Sequence, residues 1–89
     1  MADRKVQGVV LTRDEMLART SAIRAGESPE RVSQRIGGEP YERNSVGGRT
    51  RYSWLIEVSD ATPVEGRRQI YMGEFEKGAL VAGWILPNG

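Results

Sequence analysis

The sequence predicts a single α+β domain over residues 1–89, in which two short N-terminal helices pack on one face of a three- to four-stranded antiparallel sheet. Two segments with helix-start signals come first, and from Tyr41 onward apolar residues recur with the period of two that is typical of strands. A chain of 89 residues has room for one small core. We therefore expect residues 1–6 to be a loose tail, residues 12–38 a helical pair and residues 41–86 an antiparallel meander.

The first helix is predicted to begin after Thr12. Thr12 and Glu15 have the spacing of a capping box, in which the hydroxyl accepts from the Glu15 N–H and the carboxylate reaches back to the cap. Gly26 is expected to stop this helix, because glycine readily takes the left-handed conformation that follows a helix end. One face carries residues at helical spacing, namely Met16, Leu17, Thr20 and Ile23.

The second helix has clear signals at both ends. Ser28 is a good N-cap, and Pro29 suits the first helical position, where its missing N–H is not needed. Val32 and Ile36 lie four residues apart on one face, and Gly37–Gly38 ends the helix. Two turns are too few for a stable isolated helix, so this one must pack on something.

Four strands follow from alternation and turn residues. They are predicted over Tyr41–Val46, Thr50–Val58, Arg67–Phe75 and Ala79–Leu86. Gly47–Gly48 separates the first two as a hairpin turn, and Gly78 permits a tight turn between the last two. A shorter apolar run, Gln7–Leu11, has the β-branched character of an edge strand.

The clearest strand predicts which side of the sheet is buried. Tyr52, Trp54, Ile56 and Val58 share one face of it, since successive side chains in a strand point to opposite sides. The predicted core consists of Leu17, Val32, Ile36, Trp54, Ile56 and Phe75.

The last two strands are apolar on both faces, although two short helices can cover only one. An uncovered apolar face favours a protein partner or a second copy of the chain. The alternative is that Val9–Leu11, or the tail after Leu86, folds over it. The residues predicted to bind a partner are Arg51, Leu55, Met72 and Trp84.

The composition argues against catalysis. There is no Cys and no His, so the usual thiolate nucleophile, general base and commonest metal ligand are all missing. Glu57 and Glu74 could neighbour each other across the sheet, but paired carboxylates on a small sheet are more typical of solvated charge. We predict that the chain is not an enzyme and has no catalytic, cofactor-binding or metal-binding residues.

One pattern spans most of the chain and resembles the SmpA/OmlA family of outer-membrane lipoproteins, the BamE-like group. It consists of Gly26, Ser28, Val32, Ile36, Gly37 and Pro40, then Tyr52-Ser53-Trp54, then the hairpin Phe75-Glu76-Lys77-Gly78. The resemblance implies two short helices on a three-stranded antiparallel sheet. The chain departs from the family at Glu27, at the extra Gly38, and in lacking the lipobox Cys that carries the membrane anchor.

The repeats of β-lactamase-inhibitor proteins are similar in shape, and those proteins bind other proteins without catalysis. Both resemblances therefore imply a non-catalytic protein-binding module, using the open sheet face or the hairpin tips. Without a signal peptide or lipobox we expect a cytoplasmic protein with no membrane anchor, or a periplasmic one if the chain is a trimmed form of an exported protein.

The alternative is a small DNA-binding regulator with a helix-turn-helix at residues 16–36. Ala22, Gly26 and Val32 have the offsets of that motif's small residue, turn glycine and buried aliphatic residue. The nucleic-acid-binding residues would then be Arg31, Gln34 and Arg35. The near-balance of 13 basic and 12 acidic residues makes nucleic acid the less favoured partner.

Overall fold

Two helices and five strands follow one another in residues 8–61 and 67–87, the part of the chain that the structure, a computed structural model, describes. The predicted tail at residues 1–6 lies outside these ranges. In chain order the elements are β1 (Val9–Leu11), α1 (Arg13–Ser21), α2 (Pro29–Ile36), β2 (Glu42–Val46), β3 (Arg49–Val58), β4 (Arg68–Glu76) and β5 (Ala79–Pro87).

Helix α1 begins as predicted and ends earlier than predicted. The capping box is present: the Glu15 N–H donates to the Thr12 hydroxyl at 3.1 Å, and the Thr12 N–H donates to the Glu15 carboxylate at 2.9 Å. The expectation that Gly26 stops this helix is wrong, because α1 ends at Ser21. Gly26 has a φ of 91° and donates its N–H to the carbonyl of Leu80 at 2.8 Å, so it belongs to the edge of the sheet.

Helix α2 has the predicted ends. The Ser28 hydroxyl accepts from the Arg31 N–H at 3.1 Å, Pro29 occupies the first turn, and Gly37 closes the helix with a φ of 97°. The side chain of Arg19 in α1 caps the C-terminus of α2, because its guanidinium donates to the Ile36 carbonyl at 2.9 Å. This satisfies one of the carbonyls that a helix end leaves without a partner, and it joins the two helices.

The expectation of a purely antiparallel sheet of three or four strands is wrong: the sheet is mixed and has five strands. Strands β2, β3, β4 and β5 pair antiparallel, with hairpins at Gly47–Gly48 and Lys77–Gly78, but β1 pairs parallel with β3. The physical reason is length. The ten residues of β3 exceed the five of β2, so the edge of β3 beyond Ser53 is open to β1, with Val9 beside Ile56 and Leu11 beside Val58.

The core lies between the helices and one face of the sheet. Five of the six predicted core residues are buried, and Leu17 is the exception at 46% exposure. Met16 is the α1 residue that points into the core. Leu17 lies about 100° further round the helix and contributes to the exposed surface beside β5. The buried hydrophobic residues are Leu11, Met16, Val32, Ile36, Trp54, Ile56, Val58, Tyr71, Phe75 and Leu80.

Candidate functional site

The side of the sheet that faces away from α1 and α2 is the candidate site, which we call the open face. Alternation along the strands and the pairing register decide which residues lie on it. Three neighbouring strands contribute Arg49, Arg51, Ser53, Leu55 and Glu57 from β3, Arg68, Ile70, Met72, Glu74 and Glu76 from β4, and Ala82, Trp84 and Leu86 from β5. All four residues predicted to bind a partner lie on this face.

Towards one end, the open face is apolar, with only the Glu57–Arg68 row beyond the apolar rows. Leu55, Ile70 and Leu86 form one row across β3, β4 and β5, and Met72 pairs with Trp84 in the next row. Leu86 is 41% exposed, and no described helix or strand packs over this end. Of the two segments expected as a cover, Val9–Leu11 is edge strand β1, and Pro87, the one described residue beyond Leu86, continues β5.

The other end of the open face is charged and internally paired. Arg51 donates to the Glu74 carboxylate at 2.6 Å, and Arg49 lies 3.3 Å from Glu74 and 4.0 Å from Glu76. The hydrogen bond from Arg51 is the largest cause that holds the pKa of Glu74 below its usual range. Because β3 carries the arginines and β4 the glutamates, this end has a positive column beside a negative one.

Arg51 links the two ends of the face. Its guanidinium carbon lies 5.6 Å from the centre of the Trp84 ring, within the range of a cation–π contact, while the same side chain is held by Glu74. Arg51 thus has two side-chain partners on this face, the carboxylate of Glu74 and the ring of Trp84. Trp and Arg side chains are typical of energetically dominant interface residues.

Sequence reasoning missed part of this face. The sequence suggests Glu57 as a possible neighbour of Glu74, but Glu57 pairs in register with Arg68 and Glu74 with Arg51, so the two carboxylates lie in rows far apart along the strands. Arg49 was not singled out at all. The two arginines on β3 and the two glutamates on β4 each lie two residues apart, so the period of two could have indicated matching columns.

The three residues of the DNA-binding alternative lie on α2, where Glu27 partly neutralises them. The Arg35 Nε and Nη2 atoms donate to the Glu27 carboxylate at 2.9 and 2.6 Å, and Arg31 Nε lies 4.0 Å from it. The hydrogen bond from Arg35 is the main cause that lowers the pKa of Glu27 to about 2. Arg31 also lies 3.5 Å from the amide oxygen of Gln34.

The connection between the helices also differs from that motif. Seven residues, 22–28, separate α1 from α2, whereas a helix-turn-helix joins its helices by about three or four residues. Within this connection the backbone carbonyl of Glu27 accepts a hydrogen bond from the Leu80 N–H at 2.9 Å, which ties residue 27 to the edge of β5. Glu27 therefore connects Arg35 of α2 to the β5 edge of the sheet.

A second concave surface lies between α1 and the outer edge of β5. It encloses about 700 Å³ and is lined by apolar side chains that include Leu17, Ile23, Val81 and Ile85. Val81 is the extra residue of an irregularity in the β4–β5 pairing, and it is 43% exposed. Tyr71 borders the cavity, and burial raises the pKa of its hydroxyl.

No family model and no curated protein matches the chain. Among the described residues, no three acidic side chains are grouped so as to hold a metal ion. The described helices are also too short or too polar to span a membrane.

Proposed function

We propose that this chain is a non-catalytic protein-binding module and that its binding surface is the open face. One observation carries the proposal: Leu55, Ile70, Met72, Trp84 and Leu86 lie together on the side of the sheet that α1 and α2 do not cover. Contiguous apolar surface of this kind typically marks an interaction site in a small domain.

The chemistry of the face supports the proposal. An apolar centre with a polar rim is the usual anatomy of a protein interface, and here the apolar rows border the Arg51–Glu74 pair. Trp84 would be the anchor, because a large aromatic side chain that becomes desolvated dominates binding energy.

The hairpin tips are less suited to binding than the open face. Gly47 and Gly48 have φ angles of 59° and 84°, and the second turn contains Lys77 and Gly78, so neither turn itself carries an apolar anchor. Val46, 77% exposed beside the first turn, is a single apolar residue. Isolated exposed apolar residues are common on protein surfaces and need no partner.

Site-specific photo-cross-linking in the cells that produce the protein tests the proposal. A photoreactive residue at Met72 should give defined adducts with another protein chain, because Met72 lies in the middle of the open face. Arg43 is the matched control, since it lies on the same sheet but pairs beside Tyr52 on the helix-covered side. Adducts that form equally from both positions, or from neither, would contradict the proposal.

A further inference from the structure

We propose that the occupant of the open face is a second copy of this chain. The two copies pack face to face about a two-fold axis that runs between β3 and β4, nearly parallel to the strands. This inference rests on the proposed function, since it uses the same surface, and it goes further by naming the partner and its orientation.

The direction of the axis follows from the way the face is divided along its strands. The Arg51–Glu74 row belongs to the charged end, and the Leu55–Ile70–Leu86 row to the apolar end. A two-fold axis perpendicular to the strands fits the five rows less well. Centred on the Met72 row, it lays the Arg51–Glu74 row on the partner's Leu55–Ile70 row, which buries charged groups against hydrocarbon; shifted half a row to avoid this, it leaves the Arg49–Glu76 row beyond the end of the partner's β3. An axis along the strands places charged on charged and apolar on apolar.

The position of the axis follows from the two charged columns. An axis over β3 would place Arg51 on the partner's Arg51, and an axis over β4 would place Glu74 on the partner's Glu74. Midway between the strands, Arg51 lies opposite the partner's Glu74 and Glu74 opposite the partner's Arg51. Opposite charges then meet across the interface, and the favoured arrangement is self-complementary. The gap between β3 and β4 is also the middle of the sheet. Two strand positions lie on each side of it: β3 and then β1 or β2 on one side, and β4 and β5 on the other.

The apolar end is also complementary under this symmetry. Leu55 and Ile70 are register partners on β3 and β4. Leu55 of each copy therefore lies opposite the partner's Ile70. Leu86 on β5 lies across from the partner's β1, where Val10 points to the open face and is 63% exposed. The axis therefore places the two most exposed apolar side chains of this end on facing strands, one row apart.

The open face is large enough for a weak dimer. Ten residues in β3 at about 3.3 Å each, and four strand positions about 4.8 Å apart, give a face of roughly 600 Å². Two such faces bury about 1,200 Å², the lower end of the range for specific interfaces. The two sheets would cross at about 30°, the usual angle for aligned sheets, if the axis is inclined by about 15° to the strands.

Sedimentation equilibrium with charge-reversed variants tests the inference. Wild-type protein should show a monomer–dimer equilibrium in the micromolar range, and Arg51→Glu and Glu74→Arg should each raise the dissociation constant at least tenfold. An equimolar mixture of the two variants should dimerise again with an affinity close to that of the wild type, because each reversed residue then faces an opposite charge. Arg43→Glu makes the same change of charge on the helix-covered side and should leave the equilibrium unchanged.

Leu86→Glu gives a second test that does not disturb the charged end. Its side chain is 41% exposed in the single copy, so the substitution should leave the fold intact and raise the dissociation constant at least tenfold. A wild-type monomer at all concentrations would overturn the inference, as would a dimer that survives the charge reversals or a mixture that fails to dimerise. If that monomer still cross-links from Met72 to a different protein, the self-pairing is wrong while the proposed function stands.

Discussion

The indole N–H of Trp54 donates a 3.0 Å hydrogen bond to the Ser33 hydroxyl, across the boundary between β3 and α2. Both residues are buried: Trp54 is 1% exposed and Ser33 9%. The bond satisfies the one polar group of the largest core side chain, and it fixes the position of α2 over the sheet. The open face on the other side of β3 depends on this contact, because it helps to set which side the helices cover.

Removing either partner should therefore destabilise the domain. Trp54→Ala should lower the free energy of unfolding by about 3–5 kcal/mol, because it empties the centre of the core. Ser33→Ala should cost about 1–3 kcal/mol, because the indole N–H is then buried without an acceptor. Urea denaturation measures both values. A Ser33→Ala protein as stable as the wild type would show that the hydrogen bond contributes nothing to stability.

The Glu27–Arg35 pair predicts how stability depends on pH. The pKa of Glu27 lies at about 2 in the folded chain, below its usual value of 4.5, so the folded state holds this proton less tightly than the unfolded state. The stabilising contribution is therefore complete above about pH 4.5 and is lost as the pH falls toward 2. Thermal unfolding between pH 6 and pH 2 should show a smaller fall in Tm for Glu27→Gln than for the wild type.

Arg35→Gln removes the partner of Glu27 and should reduce the same acid dependence, since the hydrogen bond from Arg35 is the largest cause of the lowered pKa. Equal falls in Tm for the wild type and both variants would contradict the assignment of this acid sensitivity to the pair.

The elements that could be predicted are those fixed by local contacts. Ser28 and Gly37 act on their own helix, so the ends of α2 could be identified from the sequence. Gly26 could not be interpreted correctly, because its hydrogen-bond partner, Leu80, is more than fifty residues away. The parallel pairing of Val9 with Ile56 was likewise invisible, since it depends on how the helices return the chain to the sheet.

In the candidate site, too, the features set by local alternation could be predicted, and those set by strand register could not. The period of two placed Arg51 and Leu55 on one side of β3 and predicted a second apolar face, which the structure places away from the helices. The contact between Arg51 and Glu74 depends on the register of β3 against β4. That register is set across a connection of nine residues, and the sequence contains no local signal for it.

Met16 and Leu17 are adjacent in α1 but should respond very differently to substitution. Met16 is 5% exposed and packs in the core, so Met16→Ala should cost about 2–5 kcal/mol of unfolding free energy. Leu17 is 46% exposed, and Leu17→Ala should change that free energy by no more than about 0.5–1 kcal/mol. Chemical denaturation of the two variants measures the difference, and equal losses would contradict the observed orientation of α1.

Gly83 leaves room for the hydroxyl of Tyr71. A Cβ at Gly83 would overlap that hydroxyl and lie 2.9 Å from the ring carbon that bears it. Gly83→Ala should therefore destabilise the domain by about 1–3 kcal/mol, the usual range for overpacking. Combining it with Tyr71→Phe should recover part of the loss, because the overlapping oxygen is removed. A double-mutant cycle from urea denaturation measures the coupling, and purely additive losses would contradict the contact.

The two tryptophans provide separate reporters for the core and the open face. Trp54 is 1% exposed, whereas Trp84 lies half-buried on the open face beside Arg51. In dilute solution, acrylamide should quench the fluorescence of Trp84 more strongly than that of Trp54, since quenching requires contact with solvent. The variants Trp54→Phe and Trp84→Phe, checked for folding by circular dichroism, each leave one tryptophan and allow the two to be measured separately.

Association through the open face should protect Trp84 alone. As the protein concentration rises through the micromolar range, the quenching constant of Trp84 should fall while that of Trp54 stays constant. Because Trp84 lies on the open face beside Arg51, Trp84→Glu should also weaken association in sedimentation experiments. Quenching of Trp84 that is the same at every concentration, in a protein that nevertheless dimerises, would place the interface elsewhere on the molecule.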